Sequence, residues 1–204
     1  MAERRAPATP PGTPPGIAPS DAPPLPLLRA LPPVVAPHTR LLMLGSFPGA
    51  ASLAAGQYYA HPRNQFWPLL GALWGLDLPA MPYAQRLDHL LERGLGLWDA
   101  YARCRRRGSL DADIRDAELN DFSTLARQAP SLRGVAHNGG TSARAGRPLQ
   151  ALGLATWRLP SSSPAHAGWS FERKLAAWRE VFEAAGVHAR PAARARGVVQ
   201  VVAS

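Results

Sequence analysis

Apolar residues recur along the chain at two spacings. Residues 40–44 (RLLML) form a short, nearly unbroken apolar run that ends at Gly45, the pattern of a buried strand feeding a tight turn. From Phe66 onward, Phe66, Trp67, Leu70, Leu73 and Trp74 return at helical spacing. Pro68 is tolerable there only in a first turn, so a helix is predicted to start just after Asn64. Leu87, Leu90 and Leu91 repeat the helical spacing across residues 83–93 up to Gly94, and residues 95–101 then read as a second strand. Residues 132–137 and 155–159 are further strand candidates, with a weakly helical stretch at 142–152 between them. A final helix is predicted over 171–185, where Phe171, Leu175, Trp178 and Phe182 share one face, Ser170 caps the start and Gly186 the end.

This alternation predicts an α/β fold, a three-layer α/β/α sandwich around a short, mostly parallel sheet of about four strands. Ligands in such folds bind beyond the C-terminal ends of the strands. The loops after Leu44, Leu97, His137 and Leu159 therefore share one rim, and no internal repeat interrupts the pattern.

The two ends of the chain differ in character. Residues 1–37 hold twelve of the 22 prolines, and a segment so poor in backbone donors and large apolar groups is predicted to be a disordered leader. Residues 188–204, with Arg190, Arg194 and Arg196 ahead of a valine-rich stretch, are predicted to be a loose basic tail, or alternatively an edge strand. A single folded domain over 38–187 remains, in keeping with 204 residues of which 46% are hydrophobic.

Charge and cysteine content narrow the field of functions. The formal charge is +9, and Lys174 is the only lysine, so the positive charge is almost entirely guanidinium. That balance points to a polyanionic partner, although an arginine-rich composition alone does not require one. One cysteine, Cys104, rules out an internal disulfide framework, a zinc knuckle and a four-cysteine iron-sulfur cluster within a chain. Every apolar run is broken well short of the roughly 20 residues that span a bilayer, and prolines interrupt the N-terminus where a signal peptide would be apolar. A cytoplasmic protein is expected.

The unusual residues lie on the predicted rim. Gly45-Ser46-Phe47-Pro48-Gly49 is a turn whose glycines allow backbone to approach a ligand and whose proline fixes its shape. Asn64 stands where an N-cap is predicted and also beside the rim, so capping and chemistry are both open to it. Asp99 ends the second strand, where it serves as a cap or as a polar group facing a ligand. Asn138 follows the third strand beside two glycines that make a turn role equally natural. Arg103, Arg105, Arg106 and Arg107 are the densest basic cluster, suited to phosphate contacts or to an exposed loop.

Four segments taken together resemble the uracil-DNA glycosylase superfamily, most closely its hypoxanthine-DNA glycosylase branch, family 6. They are GSFPG with SL shortly after, QYYAHPRNQFW, GLWDAYARCRRRGSLDADI with the NDF that follows, and LPSSSPAHA ahead of the last helix. The similarity runs from about Leu42 to Ala185. It implies a monofunctional glycosylase that hydrolyses the bond between a deaminated base and deoxyribose and leaves an abasic site, acting as a monomer on DNA with no metal and no cofactor. Hypoxanthine is the implied base, with uracil and xanthine as related ones.

The resemblance also implies roles for residues. Asn64 matches the asparagine of the HPRN-like segment and is the catalytic candidate, positioning water or substrate. Gly45, Ser46, Phe47, Asp99 and Asn138 are assigned to the pocket for the flipped-out base, Phe47 as its stacking surface and Asp99 as a reader of the base or, with a raised pKa, an activator of water. Arg63, Ser161, Ser162, Ser163, His166, Arg105 and Arg106 are assigned to DNA contacts. Leu159 stands where the uracil enzymes begin their late loop with histidine, and Phe47 where the mismatch branch keeps a catalytic asparagine, so neither mechanism transfers intact. Two other readings stay open on the residues alone. One is a non-catalytic nucleic-acid-binding domain of the same fold. The other is a hydrolase using Ser46, for which no Gly-x-Ser-x-Gly elbow exists.

Overall fold

The structure, a computed structural model, describes residues 24–187 except 147, 148, 150 and 151. In chain order its main elements are β1 (Leu27–Arg29), β2 (Leu41–Gly45), α1 (Ala50–Ala55), α2 (Phe66–Trp74), α3 (Tyr83–Glu92), β3 (Leu95–Asp99), β4 (Tyr101–Arg105), β5 (Arg115–Leu119), α4 (Leu125–Gln128), β6 (Gly134–Asn138), α5 (Gly140–Ala145), β7 (Ala155–Leu159) and α6 (Phe171–Ala184). The central sheet is four parallel strands in the order β3-β2-β6-β7. This is the predicted α/β/α sandwich, and each parallel crossover carries helices over a face of the sheet.

Alternation along β2 explains why its sequence is apolar throughout. Leu41 and Met43 face a core built with Phe66, Leu70, Trp178 and Phe182 from α2 and α6, whereas Leu42 and Leu44 face a second core with Trp98, Phe122 and Val135. Helix α6 starts where the sequence places it, with the Ser170 hydroxyl accepting the Arg173 N–H. Pro68 is the third residue of α2, inside the first turn as the sequence requires.

Several elements differ from expectation. Residues 24–37, counted with the disordered leader above, pack onto the domain: β1 pairs antiparallel with β4, Val34 bridges Leu97, and the Tyr58 hydroxyl donates to the Leu31 and Pro32 carbonyls. Prolines remove some donors from this segment, but its carbonyls and the N–H groups of Ala30 and Val34 still pair with the domain. Residues 1–23 and the predicted tail, 188–204, lie outside the described residues.

The predicted second strand splits into β3 and β4, and β4 enters a separate antiparallel sheet, β1-β4-β5. The arginine cluster is therefore not a free loop. Arg103 pairs with Glu118 on β5 at 2.6 Å, and Arg105 reaches Asp116 at 3.6 Å and the Leu25 carbonyl at 2.7 Å. Strand β5 reads RDAEL and is exposed throughout, so no apolar alternation announces it.

Candidate active site

Strand register brings the site together. Gly45 at the end of β2 pairs with Asp99 at the end of β3, while Leu44 pairs with His137, so Asn138 of β6 stands level with Gly45 on the other side. Asn138 in turn pairs with Leu159 of β7. The strand order reverses at β2, since the chain goes to β3 on one side and later to β6 on the other, and crevices form at such points. A cleft of about 630 Å³ opens there, and Gly45, Phe47, Asn64, Asp99, Asn138 and His166 are among the residues that line it.

Gly45 is required by packing. A Cβ at this position would overlap Asp99 Oδ1 and come near the Tyr59 hydroxyl. Only a bare Cα lets the carboxyl lie against the first strand. Asp99 is 3% exposed, its backbone carbonyl accepts from Asn120 Nδ2 at 2.8 Å, and Oδ2 has no hydrogen-bond partner among the described residues. Burial, reinforced by the nearby Asp111 carboxyl and opposed by Arg106, pushes its pKa up to about 8. A carboxylic acid at neutral pH is the consequence.

The turn after β2 is clamped by the loop between β4 and β5. The Ser46 hydroxyl donates to Asp111, 2.7 and 2.8 Å from its two carboxylate oxygens, and Ser109 Oγ accepts the Ala50 N–H at 2.9 Å. Phe47 is buried in the cleft wall with the Arg106 guanidinium 5.1 Å from its ring centre. Arg106, expected among the DNA contacts, is only 1% exposed and donates to the Pro48 carbonyl. It braces the turn from behind and is not available to a phosphate.

Asn64 lines the cleft half-buried, and its Oδ1 accepts the Phe66 N–H at 2.9 Å. The N-cap of α2 is Gln65, one residue later than the sequence suggests, and Asn64 anchors the helix start from just outside it while facing the site. Tyr59 has a left-handed backbone (φ 56°), unusual for a side chain of this size, that lays its ring on Phe66 at 3.8 Å and 12°. Its hydroxyl is buried near the Asn138 carboxamide without a hydrogen bond of good geometry among the described residues, and burial raises its pKa.

The late loop is pinned. Asn138 Oδ1 accepts the Ser162 N–H at 2.8 Å, Asn138 Nδ2 donates to the Ser162 hydroxyl at 2.9 Å, and the Ser162 carbonyl accepts the Gln65 N–H. Ser162 is fully buried, so its expected DNA contact gives way to a structural one. Ser161, Ser163 and His166 remain on the cleft, and Arg63 is exposed at its edge. Lys174, the lone lysine, is buried and spans the two walls through Gln65 Oε1 at 2.8 Å and the His166 carbonyl at 2.9 Å. Burial lowers its pKa.

Sequence reasoning overlooked Tyr59, Asp111 and Lys174. Tyr59 and Asp111 lie inside two of the matched segments, which is the signal that marks them; for Lys174 the signal is being a solitary lysine on an amphipathic helix. Among the described residues, no group of three or more His, Cys, Asp or Glu side chains could hold a metal ion.

Comparison with known proteins identifies the family. The family model of the uracil DNA glycosylase superfamily matches residues 32–184. The chain belongs to that superfamily. The uracil DNA glycosylase domain so defined begins before residue 38, as the packing of residues 24–37 does. The chain is 41% identical over 155 residues to a hypoxanthine DNA glycosylase of Methanosarcina barkeri, covering 76% of this chain and 98% of that one. It is 39% identical over 154 residues to the hypoxanthine DNA glycosylase of Methanosarcina acetivorans, with 76% and 97% covered. The solution NMR structure of a candidate uracil DNA glycosylase from Methanosarcina acetivorans superposes with a TM-score of 0.70 at 38% identity, covering 78% of this chain and 98% of that chain.

Proposed function

We propose that this superfamily member is a monofunctional DNA glycosylase that releases deaminated bases, hypoxanthine foremost, and leaves an abasic site. The observation that carries the reading is the placement of Gly45, Asp99 and Asn138 side by side at the strand ends of one cleft, with Asn64 on its wall. Two hypoxanthine DNA glycosylases at 39% and 41% identity over most of their length support it.

Opening the glycosidic bond leaves positive charge on the sugar and negative charge on the base, so the site has to position water beside the sugar and polar groups beside the base. Asn64 is the residue we assign to the first task. Its Oδ1 is held by the first N–H of α2, so the carboxamide keeps one orientation without a second partner. Phe47 supplies the stacking wall and Asp99 and Asn138 the polar edge of the pocket, with Gly45 and Ser46 as its floor. Arg63, Ser161, Ser163 and His166 are assigned to the DNA backbone. Such a protein works on DNA in the cytoplasm, as a monomer and without a cofactor. No helix of the described residues is long and apolar enough to cross a membrane.

The test uses end-labelled duplexes with one deoxyinosine or one deoxyuridine, incubated with chelator and then treated with alkali. Cleavage at inosine, lost in Asn64→Ala with duplex binding retained, is the expected result. Binding without cleavage at either base would leave a nucleic-acid-binding domain instead.

A further inference from the structure

We propose that the Asp99 carboxyl is the general acid of base release, passing a proton to a ring nitrogen of the departing purine. The inference rests on the glycosylase reading above and goes beyond it by assigning the proton.

The geometry begins with an uncompensated polar atom. A buried carboxylate is ordinarily paired or heavily hydrogen-bonded, because leaving its charge bare in the interior is costly. Asp99 is 3% exposed, yet Oδ2 has no partner among the described residues. Oδ1 is packed against the Gly45 Cα, so the side chain is wedged at the floor of the cleft where a flipped base would lie. A buried carboxyl that lines the cleft and keeps one oxygen unpartnered fits a group whose partner arrives with the substrate.

The charged and titratable groups around it set its protonation. Asp111 opposes ionisation from the loop beyond β4, and Arg106 favours it from the end of β4, without an ion pair to Asp99 among the described residues. Tyr58 and Tyr59, from the segment before α2, are neutral neighbours whose own ionisation Asp99 further disfavours. The carboxyl keeps its proton to about pH 8, near the range where a general acid is most effective.

The chemistry balances without a further reactant. The C1′–N9 electron pair moves to the purine as the Asp99 proton bonds to a ring nitrogen, so the base departs neutral. Water, the co-substrate of hydrolysis, adds its oxygen to C1′ and returns one proton to the carboxylate. Purines have ring nitrogens with in-plane lone pairs that accept a proton. Uracil has none, so an acid at this place favours hypoxanthine.

The test is the single-turnover rate of base release from a deoxyinosine duplex between pH 5 and 10, for wild type, Asp99→Asn and Asp111→Asn. Wild type should lose activity on the alkaline side, around pH 8. Asp99→Asn should be slower by about 100-fold or more at neutral pH and lack that limb. Asp111→Asn removes the charge that opposes ionisation, so its limb should move to lower pH. Thermal melting and binding to an abasic-analogue duplex check that each variant is folded; an Asp99→Asn protein that melts early is replaced by Asp99→Ser, and an Asp111→Asn protein that melts early by Asp111→Ser, under the same comparison. An acid-side loss in wild type would make Asp99 a base and overturn the proposal. So would an alkaline limb that survives Asp99→Asn or stays fixed in Asp111→Asn. A wild type that binds the duplex and releases nothing overturns the glycosylase reading itself, a result distinct from an active enzyme with the wrong limb.

Discussion

Asn138 holds Ser162 at both ends, its Oδ1 taking the backbone N–H at 2.8 Å and its Nδ2 reaching the hydroxyl at 2.9 Å. The two residues are 24 positions apart, and the pair ties the end of β6 to the loop that closes the cleft. Ser162→Ala removes one of these bonds inside a buried environment and should lower stability by about 1 kcal/mol, a Tm fall of roughly 3 °C. Asn138→Ala removes both and should cost more, with KM rising as the loop loosens. Calorimetry alongside base-release kinetics checks both.

Gly45 and Asp99 cannot both keep their places if residue 45 gains a side chain. Gly45→Ala forces the Asp99 carboxyl off the cleft floor, and base release should fall by at least an order of magnitude. Substrate binding, read by fluorescence anisotropy, should change far less than the rate.

The arginines divide into two groups by their partners. Arg63 is exposed at the cleft edge, whereas Arg103 and Arg105 are paired within the small antiparallel sheet. Arg63→Ala should weaken DNA binding and reduce the slope of log affinity against log salt by nearly one. Arg105→Ala should lower that slope less, because Asp116 and the Leu25 carbonyl already hold its guanidinium. Titrations across a salt series separate the two.

Asp99 also links stability to pH. Its pKa is about 8 in the folded protein against 3.8 unfolded, so between those values the folded state holds the extra proton. Its contribution is fully present below pH 3.8 and is lost as pH rises through about 8. Asp99→Asn has no charge to bury, so its Tm relative to wild type should climb from pH 5 to pH 9. A gap that stays constant over this range would mean the carboxyl ionises freely.

What the sequence determined by itself was the central sheet and the outline of the site. Strand β2 is apolar because both faces are covered, α2 and α6 show a helical stripe, and Ser170 and Pro68 mark helix starts, all of which are local consequences of burial and backbone chemistry. The matched segments alone put Asn64, Asp99 and the GSFPG turn on one rim. Only tertiary structure decided what the remaining polar residues do. Arg106 looks like Arg63 in sequence, but it is buried behind Phe47. Ser162 differs from Ser161 and Ser163 by being buried against Asn138. Strands β1 and β5 carry too few buried apolar side chains to show a period, and their existence depends on β4 as a template. The raised pKa of Asp99 belongs to the same class, since burial and the approach of Asp111 come from segments joined only when the chain folds.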